Sequence, residues 1–420
     1  MTIINNIIEI SRGGNKISFD RRNYSYPTFS DKEYQRRYDA VYKMMDQKEL
    51  DCLLVNGGNH SWERGWTNIN WLTNFKGDLE LSMYFVLPRE GESTLTTRTL
   101  APHRVACAIV RDVRFGDMIG IAIQRIKEIK PKRGKRKIGI VESGHPIYRT
   151  EMDMIRMELS DSELEFVTDD FMQLRWEKSD EELAWLQKSA EMGDAVMEAW
   201  KTQMRPGMTE GDLFGIAHHI VYSKGGEPKF MNISSGAMTN STTEGSRPQP
   251  MARTISNGDI IHSEIGPRYW GYETQIGRNM AFGQPTDEVK QMFEVAREAY
   301  KRVTDQFRIG KGYDDVWKAG QVIKESGYKS AIPPFMHGVV GSNFRDGPVV
   351  PGVGMEGLND HFTKGNPFNK MSFRKNIATV CEISVCRKDE LFGVQLTNTL
   401  VVTDGAPRCL HKFPVDLTVI

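Results

Sequence analysis

The 420-residue chain is 39% hydrophobic and 26% charged, and its 55 Lys and Arg balance its 55 Asp and Glu. That composition fits an ordinary soluble globular protein, and the absence of a basic excess argues against nucleic acid as a main partner. No apolar run approaches the roughly 18–20 residues that cross a bilayer, so no membrane partner is expected, and "MTIINNIIEISRGGNK" lacks the basic start, apolar core and cleavage site of a signal peptide.

The length allows two or three domains. The five cysteines (Cys52, Cys107, Cys381, Cys386, Cys409) are scattered and form no CxxC pair, which predicts reduced thiols and a cytoplasmic location. The basic run "KPKRGKRK" (Lys130 to Lys137) reads as a solvated turn before a strand.

In chain order, "EYQRRYDAVYKMMDQKE" has the apolar spacing of a helix and "LDCLLVNG" that of a short strand. "SMYFVLP" and "STLTT" predict a hairpin around "REGE", "IGIAIQRIKEI" an amphipathic helix, "KIGIVES" a strand, "MDMIRMELS" a helix and "LEFVTD" a strand. This alternation predicts an α/β domain over residues 1–172. A second domain is expected over 173–420. It opens with a long helix capped by Ser179, with Glu182 three positions on, and a second helix capped by Thr209 with Asp212. Helices are also expected over "TDEVKQMFEVAREAYKRVTDQF" and "GYDDVWKAGQVIKESG", and strands in "IATVCEISVCR" and "FGVQLTNTLVVTDG". "RPGMTEGDL" and "RIGKGYDDV" are alike, each leading into a helix, which suggests two related halves.

Between these helices "GDIIHSEIGPRYWGYETQIGRNMAFG" (Gly258 to Gly283) reads as two strands and a tight turn. With "NINWLTNF", read as a strand, with the helix opening "LRWEKSDEELAWLQKSA", and with "MHGVVG", "VCEISV" and "VQLTNTLVVTDG", the series resembles the creatinase/aminopeptidase P superfamily. That resemblance implies the pita-bread fold, an α/β (α+β) architecture with a creatinase-like N-terminal domain before a pita-bread domain. In metallopeptidase members it implies two Asp, one His and two Glu as ligands of a metal pair. Carried over, these positions fall on Glu264, Gln275, His337, Glu382 and Thr397.

Two of the five are therefore not ligand types of a paired-metal site. Two dications carry four positive charges, and Glu264 and Glu382 supply two carboxylates; an amide and a hydroxyl bind transition ions poorly. The expectation is a metal-free site, with no cofactor, in which Glu264, Glu382 and His337 do acid–base work. Creatinase, a metal-free member that hydrolyses a guanidino C–N bond, sets the pattern that the resemblance implies. A single divalent ion on Glu264, His337 and Glu382 is the alternative, as a hydrolase, a lyase or a diverged Xaa-Pro peptidase. A non-catalytic binding module is another.

Gln275, Thr397, Arg247, Arg278, Arg345 and Glu273 are expected to contact a small polar, cationic or zwitterionic substrate. Glu273 shares a strand face with Gln275 and is a candidate to supply missing charge. Arg278 suits an orienting salt bridge, and Glu382 in its apolar run needs a partner such as Arg278. Arg247, in the loop before the hairpin, suits a substrate carboxylate, and Arg345 with Asp346 a polar substrate end. The loop before "GD" has no histidine where creatinase-like chains carry a proton shuttle; the position falls near Ser246, with Glu244, Arg247 and Arg253 nearby. The resemblance also implies a homodimer in which the segment Asn74–Ser82 of one subunit closes the pocket of the other.

Overall fold

A computed structural model of the chain describes residues 4–12, 15–57, 67–76, 82–98, 101–142, 146–239, 250–330, 334–339, 346–355, 363–388 and 392–420. Two compact units divide between Arg175 and Trp176.

The first unit is an eight-stranded mixed sheet. In chain order its strands are β1 (Ile7–Arg12), β2 (Asn15–Asp20), β3 (Cys52–Gly57), β4 (Met83–Pro88), β5 (Thr94–Thr97), β6 (Asp112–Phe115), β7 (Lys137–Val141) and β8 (Glu163–Phe166), arranged β2-β1-β6-β5-β4-β3-β7-β8. The expected hairpin forms, with β4 antiparallel to β5 and Phe85 opposite Leu95. Strands β3 and β4 are buried along their whole length, and their Leu54, Tyr84 and Val86 pack under Ile119, Ile123 and Ile126 of the helix Met118–Lys127.

Some expectations fail here. "NINWLTNF" is not a strand: Thr67–Thr73 is a helix, and Thr73 Oγ1 donates to the Ile69 carbonyl one turn back. The stretch is buried on every side, so it has no period-two pattern that would mark a strand. Strands β1, β2 and β6 were not foreseen; they are short, and β2 at the sheet edge is mostly exposed.

The second unit begins with helices Asp180–Gln203 and Glu210–Ser223, and both predicted capping boxes are present, Ser179 with Glu182 and Thr209 with Asp212. Its strands continue as β9 (Glu227–Ala237), β10 (Asp259–Tyr269), β11 (Tyr272–Glu273), β12 (Ile276–Ala281), β13 (Pro334–Gly338), β14 (Val350–Pro351), β15 (Ala378–Cys386) and β16 (Gly393–Val401). Across the sheet β9 pairs β10, and the order then runs β10-β12-β16-β15-β13. The arrangement mirrors about the β12/β16 junction: three strands with two helices before it in sequence, three strands with helices Asp287–Thr304 and Tyr313–Gly320 on the other side. The chain thus has the mixed α/β architecture and the pita-bread domain expected of it.

Alternation assigns the faces. On β9, β10 and β12, Met231, Ile233, Ile261, Ile265, Ile276 and Met280 form one core with Met192, Val196, Met197 and Trp200 of the helix Asp180–Gln203. On β16, Asn398 Nδ2 donates to Tyr300 Oη of the helix Asp287–Thr304. Successive side chains point to opposite faces, so the residues between these share the other face, where the site lies.

His337 sits within β13, paired opposite Val380. Buried Phe335 and Met336 favour the ladder there over a turn. Nearby, Gly320 has no room for a larger residue, since a Cβ would come 2.1 Å from Cε2 of Phe335. Gly320→Ala is expected to lose about 1–3 kcal/mol by forcing this ring to move. Urea unfolding monitored by circular dichroism measures the loss, and unchanged stability would show that Phe335 has space to yield.

Candidate active site

Register places one residue from each of five neighbouring strands in a row. Asn232 on β9 pairs with Glu264 on β10, Glu264 with Gly277 on β12, Gly277 with Thr397 on β16, and Thr397 with Glu382 on β15. All five face away from the helices. His337 pairs with Val380, two residues from Glu382 on the same strand face, and so reaches the end of the row. Its Nε2 lies 3.5 Å from Glu382 Oε2. Gly277 is required by this closeness: a Cβ there would stand 2.8 Å from Thr397 Oγ1.

The carboxyls of Glu264 and Glu382 are hydrogen-bond neighbours and almost fully buried, at 3% and 5% exposure. Burial, and then the neighbouring Glu382, push the Glu264 carboxyl well above the usual carboxylate range. Burial pushes Glu382 up to about 7, against a hydrogen bond from Glu264 that pulls it down. Two carboxyls this close and this dry hold one proton between them near neutral pH, and the titration belongs to the pair. His337 Nδ1 lies 2.7 Å from the Gly338 carbonyl. A carbonyl only accepts, so Nδ1 carries a proton, and Nε2 is the ring nitrogen that faces Glu382.

Amides surround the pair. Gln395, two residues before Thr397 on the same strand face, hydrogen-bonds Glu264, and its Nε2 donates to Thr397 Oγ1 at 3.1 Å. Its backbone N–H donates to Asn279 Oδ1, and Asn279 Nδ2 donates to His262 Nδ1 at 2.6 Å. Burial lowers His262 to about 4, so it is a neutral acceptor in this chain. It shares the face of Glu264 and serves to orient Asn279. Gln275 is buried, its backbone N–H bonded to Thr399 Oγ1, and its Oε1 has no hydrogen-bond partner.

Other expected substrate contacts are committed elsewhere. Arg278 is 1% exposed and spends all five donors within the fold, on the carbonyls of Gly277, Thr397, Phe413 and Pro414 and on Asn398 Oδ1. It sits between the Ile276 and Met280 positions that face the helices, so it neither meets a substrate nor pairs with Glu382; His337 is the partner of Glu382. Glu273 cannot supply the missing charge, because Arg268 holds it in a buried ion pair at 3.0 Å. Arg253 is bound in two-pronged fashion to Asp259. Asp346 lies on the Gly338 side-chain direction, opposite that of His337. Arg247 and Arg345, with Glu244 and Ser246, lie outside the described residues, as do Trp62, Trp66 and positions 77–81 of the segment expected to close a partner's pocket. In the same segment, Asn74 donates to the carbonyls of Pro27 and Cys107 within its own unit. Asn232, Gln395 and Asn279 went unnoticed in the sequence. The spacing of Gln395 from Thr397 was a usable signal; Asn232 had none until β9 was paired.

Residues 184–404 match the model of metallopeptidase family M24, and residues 37–176 match the creatinase/prolidase N-terminal domain. The chain belongs to metallopeptidase family M24. It is 25% identical over 264 residues to the uncharacterized peptidase YqhT of Bacillus subtilis, covering 63% of this chain and 70% of that protein. It is 22% identical over 259 residues to the Xaa-Pro dipeptidase of Pyrococcus furiosus, covering 61% and 68%. Among solved structures, a recombinant prolidase from Thermococcus sibiricus superposes with a TM-score of 0.76 at 20% identity, over 94% of this chain and all of that one. The X-Pro aminopeptidase of Thermotoga maritima gives 0.75 at 18%, over 91% and 99%. At these identities the structures speak for the fold alone.

The five positions that the resemblance aligns with metal ligands offer two carboxyls in hydrogen-bond contact, one imidazole, one amide and one hydroxyl already accepting from Gln395. These residues do not fit two adjacent dications, whose charge they neither balance nor bridge. Among the described residues no group of three or more His, Cys, Asp or Glu is arranged to hold a metal ion.

Burial of the acid pair makes stability depend on pH. Glu382 titrates near 7 in the fold against an ordinary 4.5, so its neutral form contributes stability that is complete below pH 4.5 and is lost as pH rises through 7. Glu382→Gln is expected to be more stable than the parent by roughly 1–3 kcal/mol at pH 8, with the gap closing at pH 4.5. Thermal unfolding at the two pH values checks this, and a pH-independent gap would contradict the shifted titration.

Proposed function

We propose that this M24 chain hydrolyses a C–N bond, in an amide or amidine of a small polar molecule, by direct acid–base catalysis rather than through a metal pair. The observation that carries the reading is the buried Glu264–Glu382 pair, hydrogen-bonded side chain to side chain, with Gln275 and Thr397 at the other two carboxylate positions of the family pattern. Such a pair offers an acid and a base a few ångströms apart at neutral pH.

In this reading the ionised carboxyl, with His337 behind it, takes a proton as the oxygen of water bonds to the substrate carbon. The protonated carboxyl gives its proton to the nitrogen as the C–N bond breaks. The proton taken from water restores the pair, so the cycle closes with no other reactant. The net negative charge of the pair favours a cationic or zwitterionic substrate. The homodimer implied by the resemblance belongs to the same reading, and light scattering checks it.

The relatives named Xaa-Pro dipeptidase and methionine aminopeptidase favour a second reading. In it Glu264, His337 and Glu382 would close on one divalent ion, which would supply an activated water, since three protein ligands and a water form a known catalytic arrangement, and the substrate would be a peptide.

One set of measurements separates the two. Under the first reading purified protein carries no stoichiometric metal, its turnover survives chelation, and His337→Ala lowers kcat at least about 100-fold. About one ion per chain, lost together with activity on chelation, selects the second. A mutant with full turnover removes His337 from the mechanism, and a chain that turns over neither N–H amides, amidines nor Pro-dipeptides is a binding module.

A further inference from the structure

Asn232 sits at the end of the polar row, directly opposite Glu264. It is 1% exposed, and neither Oδ1 nor Nδ2 has a hydrogen-bond partner among the described residues. The strand cannot turn this amide into the helices, because Met231 and Ile233 already occupy that side. Gln275 Oε1 and Gln395 Oε1 are buried on the same sheet face without partners among the described residues. A buried amide left unsatisfied is costly, and three around one carboxyl pair mark a place where a ligand makes the missing bonds.

The unmet groups define the ligand. The carboxamide of Asn232 presents a donor and an acceptor side by side in one plane. Its complement is an H–N–C=O edge, which returns both bonds at once. A carboxylate would meet the donor and repel the acceptor; an ammonium would do the reverse. The two glutamine oxygens accept only, so the ligand needs further N–H groups.

We propose that Asn232 is a substrate-contacting, specificity-determining residue that reads a planar H–N–C=O edge, so that the site takes ureido or primary carboxamide compounds and disfavours amides whose nitrogen bears no hydrogen, the Xaa-Pro bond among them. This rests on the reading above for the location of the site, not for its chemistry. A site built to bond an N–H rejects the analogue lacking it strongly, because its own buried groups are left unpaired.

The test uses the full chain, 2-imidazolidinone as the N–H probe and its N,N′-dimethyl derivative as the blocked one, with calorimetry and thermal shift. The N–H probe is expected to bind at least about tenfold more tightly than the dimethyl compound, and Asn232→Leu to abolish that preference. Asn232→Asp, which keeps the shape and loses the donor, is expected to weaken the N–H probe; it also serves where the leucine variant fails to fold. Equal binding of the two probes, no binding of either, or a folded leucine variant that is stabilised and retains the preference would overturn the assignment, the last by showing that only water meets these groups. A preference lost in the variants, in a chain that hydrolyses no N–H amide or ureide, would sustain the assignment and sink the catalytic reading alone.

Discussion

Cross-strand register is the constraint on which the rest of this molecule depends. Asn232, Glu264, Gly277, Thr397 and Glu382 come from five separate strands and share a line only because each ladder is held in one register. A slip of one residue on any strand would turn its polar group into the helices. The opposite face prevents this. Ile233, Ile261, Ile265, Ile276 and Met280 are buried under the helix Asp180–Gln203, and their burial locks the register that aligns the polar row.

That arrangement concentrates groups which would otherwise avoid one another. Two carboxyls brought out of water and into contact must share a proton, recruit a cation or coordinate metal. The identity of their neighbours decides which. With Gln275 and Thr397 beside them, the pair lacks the further negative charge that two metal ions need, and neutral amides supply dipoles instead. His337, its Nδ1 turned to the Gly338 carbonyl, faces Glu382 with Nε2. In this chain the fold brings Glu264 and Glu382 together, with Gln395 hydrogen-bonded to Glu264. Asn232 stands opposite Glu264 on the neighbouring strand β9.

Much of this was visible in the residues. Hydrophobic periodicity and capping chemistry located the long helices, because Ser179 with Glu182 and Thr209 with Asp212 act locally. The order of motifs marked the family and aligned Glu264, His337 and Glu382, which the fold brings together. The errors lie where the deciding contact is distant. The segment Thr67–Thr73 is buried all round, so its pattern carried no period, and only its packing made it a helix. Arg278 looked like an ion-pair partner because arginine usually seeks a carboxylate, yet carbonyls from two other segments satisfy it. Glu273 looked like spare charge until Arg268 was found opposite it.

The sequence by itself determined the family, the two-domain order and the presence of Gln275 and Thr397 where the resemblance expects carboxylates, since these follow from residue identity and spacing along the chain. Only the tertiary structure decided that Glu264 and Glu382 touch, and that Asn232 and Gln395 join them. Those relations exist through sheet pairing between segments far apart in the chain, and no local pattern encodes which residue will stand opposite which.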